Sequence, residues 1–79
     1  MEQLERVVEY IATGLVDHPE AVQVDSRRHG QNVSLHLHVA PEELGRVIGK
    51  QGRIAKAMRT MIGIAAAQQG LRASLEIEG

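Results

Sequence analysis

Residues 47–54 read Val-Ile-Gly-Lys-Gln-Gly-Arg-Ile and place two glycines three positions apart between two segments of helical character. A turn with glycine at both ends lets the backbone approach another chain without a Cβ atom in the way. It also presents the free N–H groups of the following helix, where the positive end of the helix dipole favours a phosphate. Lys50 inside the turn and Arg53 behind it add two cations. The stretch therefore has the outline of a phosphodiester clamp.

The glycine spacing is weak support when taken alone. With 8 glycines in 79 residues, the pattern G-x-x-G arises by chance about once. An ordinary turn between two helices, capped by glycine, would produce the same letters. Its position is more informative, because it lies after a helix and two strands, before a last strand, and inside a stretch without acidic residues.

The charge of the chain is divided along its length, although the net charge is only −1. Residues 1–43 carry three arginines against eight acids, whereas residues 44–75 carry six basic residues and no acid. Such a block attracts a polyanion even on a slightly acidic protein, although a solvated basic helix face is the plainer interpretation. The basic residues of this block are Arg46, Lys50, Arg53, Lys56, Arg59 and Arg72.

The composition excludes several classes of protein. Tyr10 is the only aromatic residue, so folds that stack bases on several aromatic side chains are excluded. The chain has no cysteine, no nucleophile motif and no P-loop ending after its glycines, so we expect neither an enzyme nor a cofactor. No apolar run approaches a membrane span, and the N-terminus is acidic, so we expect a soluble, cytoplasmic protein.

Hydrophobic periodicity predicts the secondary structure. Helical spacing marks residues 2–15 and again residues 54–68, whereas alternation marks a strand over residues 33–39. The remaining predicted elements are a short strand over residues 21–25, a turn over residues 28–32, a short helix that begins at Pro41, and a last strand over residues 71–78. The order αββααβ predicts an α+β fold, with a three-stranded sheet that carries its helices on one face. A length of 79 residues fits one domain, residues 1–79.

The central segment resembles a known family. Residues 47–54 are similar to the I-G-x-x-G-x-x-I signature of KH domains, and the element order resembles the type II, bacterial arrangement. Residues 44–53 and 57–60 are similar to the corresponding segments of the free-standing KH proteins of the KhpA family. The resemblance extends over the whole chain and implies a single type II KH domain.

The resemblance also implies the site residues. KH domains hold about four nucleotides by their backbone at the GXXG loop. Here the clamp would be Gly49, Lys50, Gln51 and Gly52, with Arg46, Arg53 and Lys56 beside it, and with Val47, Ile48 and Ile54 as an apolar floor for bases. The expected ligand is single-stranded RNA, bound with low sequence specificity. Many KH loops carry two basic residues, whereas this loop pairs Lys50 with the neutral Gln51, which implies modest affinity.

For the biology, the family resemblance implies a cytoplasmic RNA chaperone. Its members self-associate, act with a second KH protein of the KhpB type, and influence cell elongation and cell-wall synthesis. Two alternatives stay open at this level. One is a dimerisation or partner-recruitment module that binds little RNA itself, and the other is a ribosome-associated KH factor.

The last predicted helix carries a second stripe beside its core stripe. Small side chains and Ile64 form this stripe, which predicts a close helix contact in a homodimer. The alternative is an alanine-rich helix in which Ile64 completes the core. The predicted dimer-interface residues are Ala57, Thr60, Met61, Ile64 and Ala67.

Two histidines have a spacing that suits a metal. His36 and His38 lie two apart on a predicted strand and so share one face. Because no third ligand is near them in sequence, we predict a polar sheet face and no metal site.

Overall fold

The computed structural model describes residues 2–79. It forms three helices and three strands in the predicted order, so the α+β prediction is confirmed. The elements are α1 (Glu2–Leu15), β1 (Gln23–His29), β2 (Asn32–His38), α2 (Leu44–Ile48), α3 (Arg53–Ala67) and β3 (Arg72–Glu78), with 3-10 turns at Pro19–Ala21, Pro41–Glu43 and Lys50–Gly52.

The sheet has the order β1-β2-β3. Strand β1 pairs with β2 in antiparallel fashion, whereas β3 runs parallel to β2. A parallel partner requires a crossover connection, and here α2, the glycine loop and α3 form it. The loop therefore lies within the crossover that connects β2 to β3.

One face of the sheet is buried and the other is open. Val33, Leu35 and Leu37 of β2 have no exposed surface. The apolar sides of α1 and α3 cover them and contribute Leu4, Val8, Ala12, Met58, Ile62 and Ala66 to the same core. The side chains that alternate with them point to the opposite face. The predicted packing of helices on one sheet face is thus confirmed.

The first hairpin is longer than the sequence pattern predicts. Residues 28 and 29 are strand, not turn, and β1 begins at Gln23 rather than at residue 21. The turn is confined to Gly30 and Gln31, and Gly30 has φ +64°. Glycine at the first position of a two-residue turn matches the twist of the strands, so pairing extends to His29 and Asn32.

The start of α2 also differs from the prediction. Pro41–Glu43 forms a 3-10 turn, and the α-helix begins at Leu44. Glu43, the last residue of this turn, is only 3% exposed. Its carboxylate accepts hydrogen bonds from the backbone N–H groups of Asp17 and His18, the latter at 3.1 Å. This pair of bonds attaches the segment after α1 to the start of α2.

None of the helices formed by residues 2–79 has the length and apolar character that a membrane crossing requires.

Candidate nucleic-acid interface

Gly49 ends α2 in a conformation that favours glycine. Its N–H donates to the Gly45 carbonyl at 2.9 Å, and its φ and ψ are 80° and 173°. A Cβ atom at this position would lie 2.6 Å from Cγ1 and 2.9 Å from Cβ of Ile54. Glycine is therefore required at position 49 because the loop packs closely on the first turn of α3.

The other end of the loop is open. Gly52 has φ +75° and ψ 15°, and no atom lies within 4 Å of the place where its Cβ would be. Its N–H donates to the Gly49 carbonyl at 3.1 Å and closes the turn. The absence of a side chain at Gly52 thus leaves this side of the turn open.

Gln51 is the one residue other than glycine with a positive φ, 59°, in the part of the chain that is described. Such a left-handed conformation costs a residue with a Cβ atom roughly 1–2 kcal/mol. Its side-chain Oε1 accepts a bond from Nη2 of Arg53 at 3.3 Å. The bond positions the first guanidinium of α3 beside the loop.

The predicted residues of the clamp, its flanking cations and its apolar floor are accessible, with one exception. Lys50, Gln51, Arg53, Lys56 and Arg46 are exposed, whereas Gly49, Gly52, Ile48 and Ile54 are half-buried. Val47 has no exposed surface. Of the predicted apolar floor, only Ile48 and Ile54 thus have accessible surface, because Val47 belongs to the core.

Arg46 is held by acids that the sequence analysis did not include in the site. Its Nη1 lies 3.0 Å from Oδ2 of Asp17 and 4.0 Å from Oε2 of Glu43. Glu43 lies three residues before Arg46, a local spacing, whereas Asp17 is remote in sequence and no local pattern links it to the loop. A phosphate that approaches Arg46 would therefore compete with the Asp17 carboxylate.

The Glu43 carboxylate is stabilised in its ionised form. Burial raises its pKa, but hydrogen bonds from the backbone N–H groups of Asp17 and His18 and from the His18 ring, at 3.2 Å, outweigh that effect. The net result is a pKa below the ordinary value for this carboxyl. The Glu43 carboxylate that binds the backbone N–H of Asp17 thus carries a negative charge at neutral pH.

Arg59, another residue of the basic block, contacts the sheet. Its Nε donates to the Leu75 carbonyl of β3 at 3.2 Å, which fixes the guanidinium between α3 and the sheet. Helical periodicity alone could not predict this contact, because it does not show which strand lies beside α3.

The second stripe of α3 is solvent-exposed. Met61 is 50% and Ile64 58% exposed, and Ala57, Thr60 and Ala67 are exposed with them. Ile64 therefore does not complete the core, and that alternative is wrong. The stripe remains an accessible apolar surface on α3.

The open sheet face carries the two histidines of β2. The rings of His36 and His38 stack with their centroids 6.4 Å apart. Nδ1 of His36 lies 3.4 Å from Oε1 of Glu78, and Nε2 of His38 lies 3.5 Å from Oδ2 of Asp25. Within residues 2–79, no group of three or more potential ligands is arranged to hold a metal ion.

Comparison with known proteins identifies the family. The family model described as KhpA/KhpB, KH domain, matches residues 5–77. The chain is 50% identical to the RNA-binding protein KhpA of Clostridium acetobutylicum, over 94% of this chain and 99% of that protein. It is 41% identical to the RNA-binding protein KhpA of Bacillus subtilis, over 96% and 94% of the two chains, and 44% identical to that of Aquifex aeolicus, over 98% of each. KhpA is a non-enzyme family, which confirms the prediction that the chain is not an enzyme. The GXXG loop, the αββααβ order and these matches agree, and the chain belongs to the KhpA/KhpB family of KH domains.

Proposed function

We propose that this chain binds single-stranded RNA with low sequence specificity, and that the loop from Gly49 to Gly52 holds the phosphates. The observation that carries the proposal is the open backbone at Gly52 between exposed cations. The names of the relatives, RNA-binding protein KhpA, support it.

Phosphate binding would use the loop backbone and three side chains. The N–H groups of Gly52 and Arg53 donate to the Gly49 and Lys50 carbonyls within the turn, so the start of α3 would attract the phosphate through the positive end of its dipole. Lys50 lies in the turn, Arg53 begins α3, and Arg46 lies one turn earlier on α2. Because these contacts reach the backbone of the nucleic acid, they carry little sequence information.

The bases would rest on aliphatic surface. Ile48 and Ile54 are half-buried beside the loop, whereas Val47 is buried in the core and offers no surface to a base. Tyr10, the only aromatic residue, is on α1, outside this segment. Base contacts are therefore apolar and without aromatic stacking, which fits low specificity.

The direct test is a fluorescence-anisotropy titration of a short unstructured RNA. The variant combines Lys50→Asp with Gln51→Asp, and the matched control combines Arg72→Asp with Gln31→Asp. The control has the same change of three charge units, on exposed residues at the hairpin end of the sheet. The proposal predicts loss of binding in the loop variant only, with weaker wild-type binding at higher salt. Equal binding by both variants would reject the loop as the site.

A second candidate function is recruitment of a protein partner or self-association through α3. The exposed Met61 and Ile64 favour it, because exposed apolar side chains close together on one helix mark contact surfaces. The predicted interface comprises Ala57, Thr60, Met61, Ile64 and Ala67. If this stripe forms a homodimer, Ile64→Asp lowers the solution mass measured by light scattering, whereas Arg72→Asp does not. A mass unchanged by Ile64→Asp would reject the stripe as a homodimer interface.

The cellular role that we propose is that of a cytoplasmic RNA chaperone that acts with a KhpB-type KH protein and influences cell elongation and cell-wall synthesis. The joint KhpA/KhpB family description supports a related partner. Sequencing of RNA that copurifies with the protein separates this role from that of a ribosome-associated factor. A broad set of transcripts supports a chaperone, whereas ribosomal RNA alone would contradict it.

A further inference from the structure

Strand β1 forms one edge of the sheet, and within residues 2–79 no other strand pairs with its outer side. The two-residue turn makes His29 and Asn32 a hydrogen-bonded pair, and such pairs alternate along an antiparallel ladder. The N–H and C=O groups of Val24, Ser26 and Arg28 therefore point away from β2. This edge offers three donors and three acceptors to another strand.

The charges along β1 are arranged symmetrically about Ser26. Asp25 and Arg27 flank it on the open face of the sheet, and both are exposed. If a second β1 pairs in antiparallel fashion with Ser26 opposite Ser26, then Asp25 lies opposite the partner's Arg27, and Arg27 lies opposite the partner's Asp25. A pairing centred on Asp25 or on Arg27 places like charges directly opposite each other, which destabilises a strand pair. Among the registers centred on Asp25, Ser26 and Arg27, the charges thus favour the one about Ser26.

On the face of the sheet that the helices cover, the charges along the β1 edge are also complementary in that register. Val24 then lies opposite the partner's Arg28. A shallow cleft beside Val24 is lined by Glu5, Arg6 and Glu9 of α1, and Glu5 also accepts a bond from the Ser26 hydroxyl at 2.9 Å. The Nε of Arg28 donates to the Gly30 carbonyl of its own chain at 2.9 Å. The partner's Arg28 would enter a cleft with two carboxylates and one guanidinium, so both arginines of β1 find acids on the second copy.

From this geometry we propose that the outer edge of β1 pairs with the β1 edge of a second copy of this chain, in antiparallel register about Ser26. The product is a continuous six-stranded sheet with two-fold symmetry. The contact is isologous, since the same residues meet from both sides. A single strand pair buries little area, so the association is weak and depends on protein concentration.

The pairing leaves the glycine loops free. Helix α1 packs over β1, whereas α3 and the loop that precedes it lie toward β3, the opposite edge of the sheet. A dimer through β1 would therefore carry its two Gly49–Gly52 loops on its two outer flanks. This contact does not depend on RNA binding and is separate from the exposed stripe of α3.

The first test exchanges charges. All variants carry Ile64→Asp, which removes the α3 stripe from the measurement, and their mass is followed by sedimentation equilibrium from micromolar to millimolar concentration. Asp25→Arg alone and Arg27→Asp alone each place two pairs of like charges across the edge, and the expected weakening of dimerisation is about tenfold or more. The combined variant has the original net charge and restores opposite charges, so it dimerises as the parent does. A parent that stays monomeric, single variants that dimerise unchanged, or a combined variant that fails to recover would each overturn the proposal.

The second test determines the register of the strand pair by disulfide crosslinking. The chain contains no cysteine, so one introduced thiol reports one contact. Opposite residues of a hydrogen-bonded pair have Cα atoms about 5.5 Å apart, within the range of a disulfide. Ser26→Cys is therefore expected to form a covalent dimer under mild oxidation. Gln23→Cys, about 20 Å from its own copy in this register, is the matched control, and equal crosslinking of the two variants would overturn the register.

Discussion

Gly49→Ala tests whether packing against Ile54 is the reason that the loop requires glycine at position 49. The backbone at Gly49, with φ 80° and ψ 173°, lies in a region that costs other residues roughly 1–3 kcal/mol. The added Cβ would also lie 2.9 Å from the Cβ of Ile54, which a side-chain rotation cannot relieve. We therefore expect a loss of unfolding free energy of at least about 2 kcal/mol, or a fall in Tm of about 8–16 °C for a domain of this size.

Urea unfolding followed by far-UV circular dichroism measures this loss. Gly52→Ala is the control, because it carries only the cost of the left-handed conformation, about 1–2 kcal/mol, with nothing near the new methyl group. In an Ile54→Ala background the contacts with Cγ1 and Cδ1 disappear, so Gly49→Ala costs less there. A Gly49→Ala variant as stable as the wild type, or a cost independent of Ile54, would refute the packing argument.

Three further changes test the surroundings of the site and the core. Asp17→Asn frees Arg46 from an exposed ion pair of about 0.2–1 kcal/mol, so RNA affinity in anisotropy titrations rises by up to about fivefold. The gain disappears when Arg46→Gln is also present, and a gain that persists there would contradict competition for Arg46. The folded-state pKa of Glu43 is below its ordinary value of 4.5, so its contribution to stability is present above pH 4.5 and is lost as pH falls through the lower folded-state pKa. Glu43→Gln should flatten the dependence of Tm on pH in that acidic range. An unchanged profile would contradict the stabilising role of the ionised Glu43 carboxylate. Leu35→Ala, at a site with no exposed surface, costs about 2–5 kcal/mol in urea unfolding. Tyr10→Ala, at a site 81% exposed, changes stability by under about 0.5 kcal/mol, and equal losses would contradict the assigned core.

Much of the fold follows from local patterns in the sequence. The alternation of Val33, Leu35 and Leu37 gives the central strand its buried face, and helical spacing gives α1 and α3 their bounds within one or two residues. The position of the glycine loop between two helices follows from the same patterns. The conformation of the loop does not follow from these patterns, because the contact of Gly49 with Ile54 depends on where the first turn of α3 lies relative to the loop.

The long-range contacts could not be predicted from periodicity. Glu43 meets Asp17 and His18 across 25 residues or more, and its spacing is equally that of an exposed carboxylate at a helix start. Ile64 was ambiguous for a related reason: the spacing of apolar residues does not fix the width of the face that a helix buries. Only the packing of α3 on β3 and α1 decides that Ile62 is buried while Ile64 is exposed.

The most direct test of RNA binding at the loop is a map of amide chemical shifts during titration of the protein with a short single-stranded RNA. The account predicts that the changes concentrate on residues 46–56, with the largest at the N–H groups from Gly49 to Arg53, while the edge of β1 and the open sheet face stay unchanged. Changes centred on the sheet face or on the α3 stripe, or no changes at concentrations where the RNA binds, would contradict it.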